Sequence, residues 1–349
     1  MTDYRLILLF GGNSCEHEVS LFSAASVAER LSGTELSPIT VGINRSGSWL
    51  LYTGTSARIR DGSWELDAPH LIPVHPRCGA ICRTDTGEPL PPSIVFPCLH
   101  GQNCEDGRLQ GALELFGIPF IGSGTEASAI CMNKALTKEL LARHRIPMAS
   151  KVSAAVRGAD DVSRLILRAE ARLLYPMFVK PVRAGSSVGA RPAESRAELA
   201  EAIADAAKAD SLVMVERFIV GREIELAVLD GKPPIIAPPA EPIYRARYYD
   251  YDAKYHGGGA TLRIPADLPA HTAQRLARLA ERIFRLLGCR HLARVDFFVG
   301  QGGEIWFNEI NTLPGMTEAS VYPHALAAAG IPFPDLLRRL MRLAAEDAS

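Results

Sequence analysis

The sequence has almost no net charge. Its 38 Lys and Arg against 39 Asp and Glu leave −1 over 349 residues. That removes the electrostatic case for nucleic acid or an acidic membrane surface as a partner. Long apolar runs are missing too. The first, Leu6–Phe10 within MTDYRLILLFGG, is five residues long, too short for a signal peptide or a membrane span. It predicts a buried first strand instead. The seven cysteines, at 15, 78, 82, 98, 104, 131 and 289, are odd in number and form no disulfide framework, which points to reduced thiols in a cytosolic protein. Cys78 and Cys82 have no second ligand pair downstream, which argues against zinc. There is no internal repeat and no low-complexity segment. The length suits two or three modules, and 47% hydrophobic residues is ordinary for a globular enzyme.

What is present centres on Leu292–Met316, LARVDFFVGQGGEIWFNEINTLPGM. Two apolar runs, Leu292–Val299 and Glu304–Ile310, flank the glycine turn Gly300–Gly303 and predict a β-hairpin. Pairing Val299 with Glu304 sets Arg294 opposite Glu309 and Asp296 opposite Phe307. Alternation then puts Arg294, Asp296 and Glu309 on one face, with Asn311 continuing it. Buried charges need partners. Carboxylate and amide oxygens so arranged suit Mg²⁺ shared with phosphate oxygens. The alternative is an internal salt bridge between Arg294 and Glu309.

Upstream, Arg5–Phe10 predicts a strand, then the turn GGNSCEHEVS and a helix through SLFSAASVAERL. This arrangement presents a helix N-terminus to a ligand, but the glycines do not match a dinucleotide fingerprint. Glu16 sits at the mouth of the sheet as a ligand candidate. Glu18 could equally serve the helix dipole. Pro38–Ile43 and Ser93–Leu99 read as strands. Residues 44–92 read as hairpins and loops decorating the domain. His100 stands at a strand's carboxyl end, with a capping or core role as the alternative. LQGALELFG reads as a helix ended by Gly117.

ASAICMNKALTKELLARHRIP, residues 127–147, reads as one helix carrying Lys134 and Lys138, stopped by Pro147. Pro176–Pro181 reads as a strand ending in Lys180. The loop RAGSSVG, residues 183–189, resembles a phosphate cradle, but its lysine precedes the glycines, unlike a Walker loop. Ser195 and Glu198 form a capping box. Leu212–Glu216 and Arg222–Leu229 are strands. In the second, Glu223 and Glu225 share a face, and a solvent-facing position is the expectation for Glu225. Residues 243–261 form a tyrosine- and glycine-rich loop of the kind that closes over sites. Pro269–Leu287 is a helix with Leu276, Leu279, Ile283 and Leu286 inward, and residues 319–347 are helical.

Seven stretches together resemble the D-alanine–D-alanine ligase family of the ATP-grasp superfamily: FGGNSCEHEVSLFSA, LHGQNCEDGRLQG, IPFIGSGTEASAICMNK, VKPVRAGSSVG, YDYDAKY, LARVDFF and FNEINTLPGM. The resemblance runs from the first strand to the last helix. It implies an α/β, three-domain ATP-grasp architecture with an N-terminal Rossmann-like domain. The expected divisions are 1–123, a substrate domain; 124–212, a central subdomain; and 213–349, a subdomain with the metal site and the lid loop. It implies ATP and two Mg²⁺ (or Mn²⁺), D-alanine as substrate, a cytoplasmic location and a homodimer.

By the same resemblance, Lys134 and Lys180 would neutralise ATP phosphates, and Lys254 would reach the γ-phosphate from the lid. Glu216, Arg217, Phe218 and Ile219 would line the adenine pocket. Glu223 would hold the ribose, and Asn308 belongs with the nucleotide residues. Asp296, Glu309 and Asn311 would bind the two ions, Glu309 bridging them. Arg294 would face the transferred phosphoryl group. Glu16 would anchor the first ammonium, with Ser186 and Tyr255 completing a triad that ties the domains together. His100 would lie near the first amino acid, Gly315 would donate a backbone N–H, and Ser320 and Val321 would sit by the second substrate.

Asn103-Cys104 and Val182 depart from the family pattern, and FNEIN and CEHEVS lean towards the branch that includes vancomycin-resistance ligases. D-serine and D-lactate therefore stand as alternative second substrates. The intact YDYDAKY favours D-alanine over D-lactate, with His256 as the contrary sign, and Val321 argues against D-serine.

Overall fold

The computed structural model describes residues 4–185, 189–243 and 261–348. Strand β1 (Arg5–Gly11) is buried at every position after Arg5. A continuous apolar run of this kind belongs to a parallel strand covered on both faces. It pairs in parallel with β2 (Ile39–Ile43) and β6 (Ser93–Pro97), and helix α1 (His17–Leu31) makes the crossover from β1 to β2. Residues 44–92 do more than decorate. They supply β3 (Trp49–Tyr52), helix α2 (Ser56–Arg60), β4 (Leu71–Arg77) and β5 (Ala80–Arg83), and the three strands extend the same sheet antiparallel in the order β5-β4-β3-β2-β1-β6. Trp64 anchors this extension. It is fully buried, edge-on to Phe10 at 4.9 Å and to Tyr52 at 6.1 Å between ring centroids. Helix α3 (Arg108–Leu115) follows β6.

The stretch read as one helix over 127–147 is two, α4 (Thr125–Met132) and α5 (Lys134–Arg143). Asn133 separates them. Its backbone is non-helical, and its side chain accepts a hydrogen bond from the Leu136 N–H at 3.0 Å, so it ends one helix and caps the next. The next unit comprises β7 (Lys151–Ala155), α6 (Ala159–Glu170), β8 (Met177–Pro181), β9 (Arg191–Ala193), α7 (Arg196–Ala209) and β10 (Leu212–Arg217). Its antiparallel sheet, β7-β10-β8-β9, shares a core with α6 and α7 built on Leu165, Val179, Leu199, Ile203, Val213 and Val215. Ser195 caps α7 as expected, but Glu198 reaches the N–H of Glu194 rather than that of Ser195.

The last unit runs through β11 (Arg222–Leu229), β12 (Ile235–Ile236), β13 (Glu241–Ile243), β14 (Thr261–Arg263), α8 (Ala270–Leu286), β15 (Leu292–Val299), β16 (Ile305–Asn311), α9 (Val321–Ala328) and α10 (Phe333–Asp347). Its main sheet is β12-β11-β15-β16. Helix α8 lays Leu276, Ala280, Ile283 and Phe284 into that sheet's core. Leu286, expected inward, is exposed, because the apolar stripe leaves the helix through Leu287 instead. One apolar core joins the first unit to the last: Leu21 and Val27 of α1 with Met316, Tyr322 and Leu336. Arg30 of α1 seals this contact, its guanidinium 3.5 Å from the Phe333 ring centroid and donating to the Met316 carbonyl at 3.2 Å.

Gly42 of β2 lies directly under Trp64, and a Cβ there would come within 2.4 Å of the indole. We predict that Gly42→Ala costs about 1–3 kcal/mol through overpacking. Urea unfolding at pH 7 checks this; a midpoint equal to wild type would show that the indole moves freely.

Candidate active site

The central sheet and the last sheet meet where the carboxyl end of β8 faces the middle of β16. The Phe307 N–H donates to the Pro147 carbonyl, and Met148 bridges to Phe307 in parallel. The Lys180 ammonium at the end of β8 donates to Asn308 Oδ1 at 3.1 Å. Groups from both sheets and from α5 converge here.

The pairing of β15 with β16 differs from the expected register. Val299 pairs with Ile305 rather than Glu304, and Phe297 with Phe307. Between Phe297 and Asp296 the ladder slips by one residue, so that Asp296 stands opposite Glu309 and Arg294 opposite Asn311. Asn308 is the extra residue of a β-bulge. The turn is therefore one residue longer than the sequence alone suggests, and the bulge resets the strand. Phe307 and Ile310 both stay in the core, three residues apart instead of two. Asn308 and Glu309 are left together on the other side.

Arg294, Asp296, Glu309 and Asn311 do share a face, but Arg294 does not pair with Glu309. It makes a two-pronged bond to Asp296 at 2.8 and 2.7 Å and an ion pair with Glu225 at 2.9 Å. Burial works against the Arg294 charge, but Asp296 and Glu225 more than offset it and hold its pKa well above the ordinary value. Glu225 is thus not solvent-facing. It is buried directly across from Asp296 on β11. Glu309 receives Lys134 at 3.2 Å, and the same ammonium donates to the Ala184 carbonyl at 2.8 Å. The break at Asn133 starts α5 at Lys134, whose own N–H donates to the Val182 carbonyl.

A second charged cluster lies beside the first. Glu216 is buried with Lys180 at 2.7 Å on one oxygen and Lys138 on the other. Burial pushes the Glu216 carboxyl up, but the two ammoniums outweigh it and pull its pKa down to about 2. Burial dominates at Lys138, lowering it to about 8. No role was expected for Lys138. The available signal was its place one turn after Lys134, on the same side of a helix. Of the remaining nucleotide candidates, Arg217 is exposed with its guanidinium 5.8 Å from the Trp306 ring centroid, Phe218 lies 6.3 Å from Phe178, Ile219 is half-buried, and Glu223 pairs with Phe298 across β11 and β15.

The first unit supplies a wall. Glu16, at the N-cap position of α1, is buried. Two glycines close around it: a Cβ on Gly185 would sit 2.6 Å from its Oε1, and one on Gly101 3.1 Å away. Glu16 therefore touches the loop after β8 as well as its own domain. His100 Nε2 lies 3.1 Å from Ser23 Oγ, and the His100 carbonyl accepts from Ser14 at 2.7 Å. Glu18 is exposed in the first turn of α1, the position that serves the helix dipole, and also pairs with Arg45. After β16, a side chain on Gly315 would collide with Ser320 Oγ at 2.8 Å; that hydroxyl accepts from the Thr317 N–H at 3.0 Å. Val321 opens α9 and is buried. Ser186, Lys254, Tyr255 and His256, with most of the expected lid, lie outside the described residues.

Two family profiles match the chain, "D-ala D-ala ligase N-terminus" over residues 5–123 and "D-ala D-ala ligase C-terminus" over residues 141–342. The chain belongs to the D-alanine–D-alanine ligase family. It is 40% identical to the D-alanine–D-alanine ligase of Ruminiclostridium cellulolyticum, covering 99% of this chain and 96% of that one. Identity to the Chlorobium phaeovibrioides enzyme is also 40%, covering 99% and 98%. Among solved structures, the VanG D-Ala:D-Ser ligase of Enterococcus faecalis superposes with a TM-score of 0.87 at 36% identity, covering 98% of this chain and 99% of that one. The Coxiella burnetii D-alanine–D-alanine ligase gives 0.84 at 32%, covering 100% and 95%. The fold is thus the ATP-grasp architecture with its N-terminal α/β domain.

Glu216 ionises at lower pH when folded than when unfolded, so its contribution to stability is full above about pH 4.5 and is lost as pH falls towards about 2. Wild type should therefore lose its stability advantage over Glu216→Gln as pH drops from 5 to 3, measured by urea unfolding. A constant difference would contradict the ion cluster.

Proposed function

We propose that the chain joins two D-alanines into D-alanyl-D-alanine, coupled to cleavage of ATP to ADP and phosphate, and so supplies a peptidoglycan precursor. The observation that carries this reading is the convergence, in a chain of this family, of Lys134, Lys180, Arg294, Asp296, Glu309 and Asn311 where the two sheets meet. A carboxylate is a poor acyl donor, and ligation through a D-alanyl phosphate overcomes this. The second amine then attacks the acyl carbon, and phosphate leaves. Little of this chemistry needs covalent help from the protein; positioning and charge stabilisation suffice.

The residues fit the divalent ions that the family implies. Among the described residues no cluster of three or more His, Cys, Asp or Glu could hold a metal ion alone. The set is instead two carboxylates, Asp296 and Glu309, facing each other across one ladder position, with the Asn311 amide beyond. Such an incomplete set of hard oxygens suits Mg²⁺ that draws its other ligands from phosphate and water. Bound there, two Mg²⁺ would neutralise charge on the phosphate oxygens. Lys134 and Lys180 would meet the same oxygens. Arg294, held in place by Asp296 and Glu225, would face the transferred group. Glu16 would take the ammonium of the first D-alanine beside His100, and Gly315, Ser320 and Val321 would border the second. Glu216 to Ile219, with Glu223, would seat the nucleoside. Ser186, Lys254 and Tyr255 would close over the substrates and exclude water from the acyl phosphate.

We further propose residues 1–123, 124–212 and 213–349 as the three working units, and a homodimer in the cytoplasm. All seven cysteines are free, which fits a reducing setting; among the described residues no helix is long and apolar enough to cross a membrane.

Glu309→Gln should lower ligation a hundredfold or more, by removing charge at the shared position, while leaving the unfolding midpoint within a few degrees of wild type. Phosphate release with D-alanine and millimolar Mg²⁺ measures it. Wild-type turnover would move the metal site elsewhere.

The similarity to VanG keeps a second acceptor in view. With D-alanine, D-serine and D-lactate competing in equal amounts at pH 6 and pH 8, we expect D-alanyl-D-alanine to dominate by mass at both. An amino acid arrives mainly as an ammonium and must lose a proton before attack, whereas a hydroxy acid carries no such charge. Dominant D-alanyl-D-lactate at pH 6, or D-alanyl-D-serine at either pH, would reassign the second substrate.

A further inference from the structure

Lys138 is 1% exposed and can reach neither solvent nor a ligand in the cleft. Its ammonium is committed to one oxygen of Glu216. The other oxygen holds Lys180 at 2.7 Å, and Lys180 alone of the pair also touches the cleft, through Asn308 at 3.1 Å. Three buried charges therefore share one place, two positive and one negative. This arrangement is costly in isolation, and a single lysine would suffice to neutralise Glu216.

The second lysine becomes intelligible when Lys180 has to leave. On the function proposed above, Lys180 turns to the ATP phosphates. If it were the sole partner of Glu216, that turn would strand a buried carboxylate and so oppose nucleotide binding. We propose that Lys138 is a positioning residue, the standing counter-ion of Glu216 that releases Lys180 to the nucleotide and keeps Glu216 ionised beside the purine. The inference rests on that proposed function for the role of Lys180. The low pKa of Glu216 agrees with a carboxylate that the two lysines together hold ionised. Lys138 lies one turn along α5 from Lys134, so the helix that carries one phosphate-facing lysine also carries the counter-ion that frees the other, Lys180 of β8.

The test uses the full chain as wild type, Lys138→Met, Glu216→Gln and the double variant. Mg-ATP affinity is read by calorimetry, alongside KM and kcat for ATP and KM for D-alanine. Lys138→Met should weaken Mg-ATP about tenfold or more, mostly in KM for ATP, and leave KM for D-alanine unmoved, because Lys180 is now locked on Glu216. Neutralising Glu216 should remove the need for Lys138. The double variant should then bind Mg-ATP within about threefold of Glu216→Gln. Wild-type affinity in Lys138→Met overturns the proposal. So does a double variant whose loss is the product of the two single losses, as plain structural damage would give. Should Lys138→Met fail to fold, the comparison of the double variant with Glu216→Gln still decides. Failure of wild type to ligate D-alanine would refute the proposed function, while the calorimetry would continue to report on Lys138.

Discussion

The last sheet is organised around a buried guanidinium. Arg294 is the third residue of β15, a strand made of Leu, Ala, Val and Phe apart from Arg294 and Asp296, and it binds Asp296 on its own strand and Glu225 on the next. A charge at that depth has to be matched, and the match constrains three strands at once. Glu225 must lie opposite Asp296, which sets the pairing of β11 with β15. Glu309 must face the same side as Asp296, yet Phe307 and Ile310 must both reach the core. An unbroken strand cannot satisfy both, since two residues three apart fall on opposite faces. The bulge at Asn308 resolves the conflict and leaves Asn308 in place to receive Lys180 from the facing sheet.

This conflict marks the limit of what the residues disclosed. Period-two alternation and the glycine turn predicted the hairpin and correctly gathered Arg294, Asp296, Glu309 and Asn311 on one face. They could not reveal the bulge, because Glu304 reads as a plausible strand residue until Phe307 and Ile310 are both known to be buried. Glu225 was misjudged for a related reason. Alternation shows which residues share a face, but not whether that face meets water or another charged strand. The helix break at Asn133 was visible in principle, since an asparagine followed by a lysine-bearing helical stretch is a capping signal. It was masked by apolar periodicity that continues on both sides.

Contacts distant in sequence were legible least. Nothing in the local pattern of FSAASVAERL shows that Arg30 will cover Phe333 more than three hundred positions later, or that Gly185 will press on Glu16. Both contacts tie the N-terminal domain to the rest of the chain. The first closes a common core with the C-terminal helices. The second sets the candidate ammonium anchor against the loop that follows Lys180. The family resemblance anticipated only the second, by placing Glu16 with the loop that follows Lys180. Glycine at 101 and 185 gives it a physical form, because any side chain there would occupy the space of the Glu16 carboxylate.

The charges of the site are self-balanced in this structure. Lys134 rests on Glu309, Arg294 on Asp296, and Lys180 on Glu216. Each cation proposed for phosphate thus sits on a carboxylate, and two of those carboxylates are the ones proposed for metal. On the roles proposed above, nucleotide and divalent ions brought in together would exchange one set of ion pairs for another: anionic phosphate would take the lysines while the metals would take the acids. The buried charge stays compensated throughout. Either ligand alone would leave one sign in excess in a poorly solvated place, so on that reading the balance of ion pairs within the site would couple the binding of ATP to that of its metal.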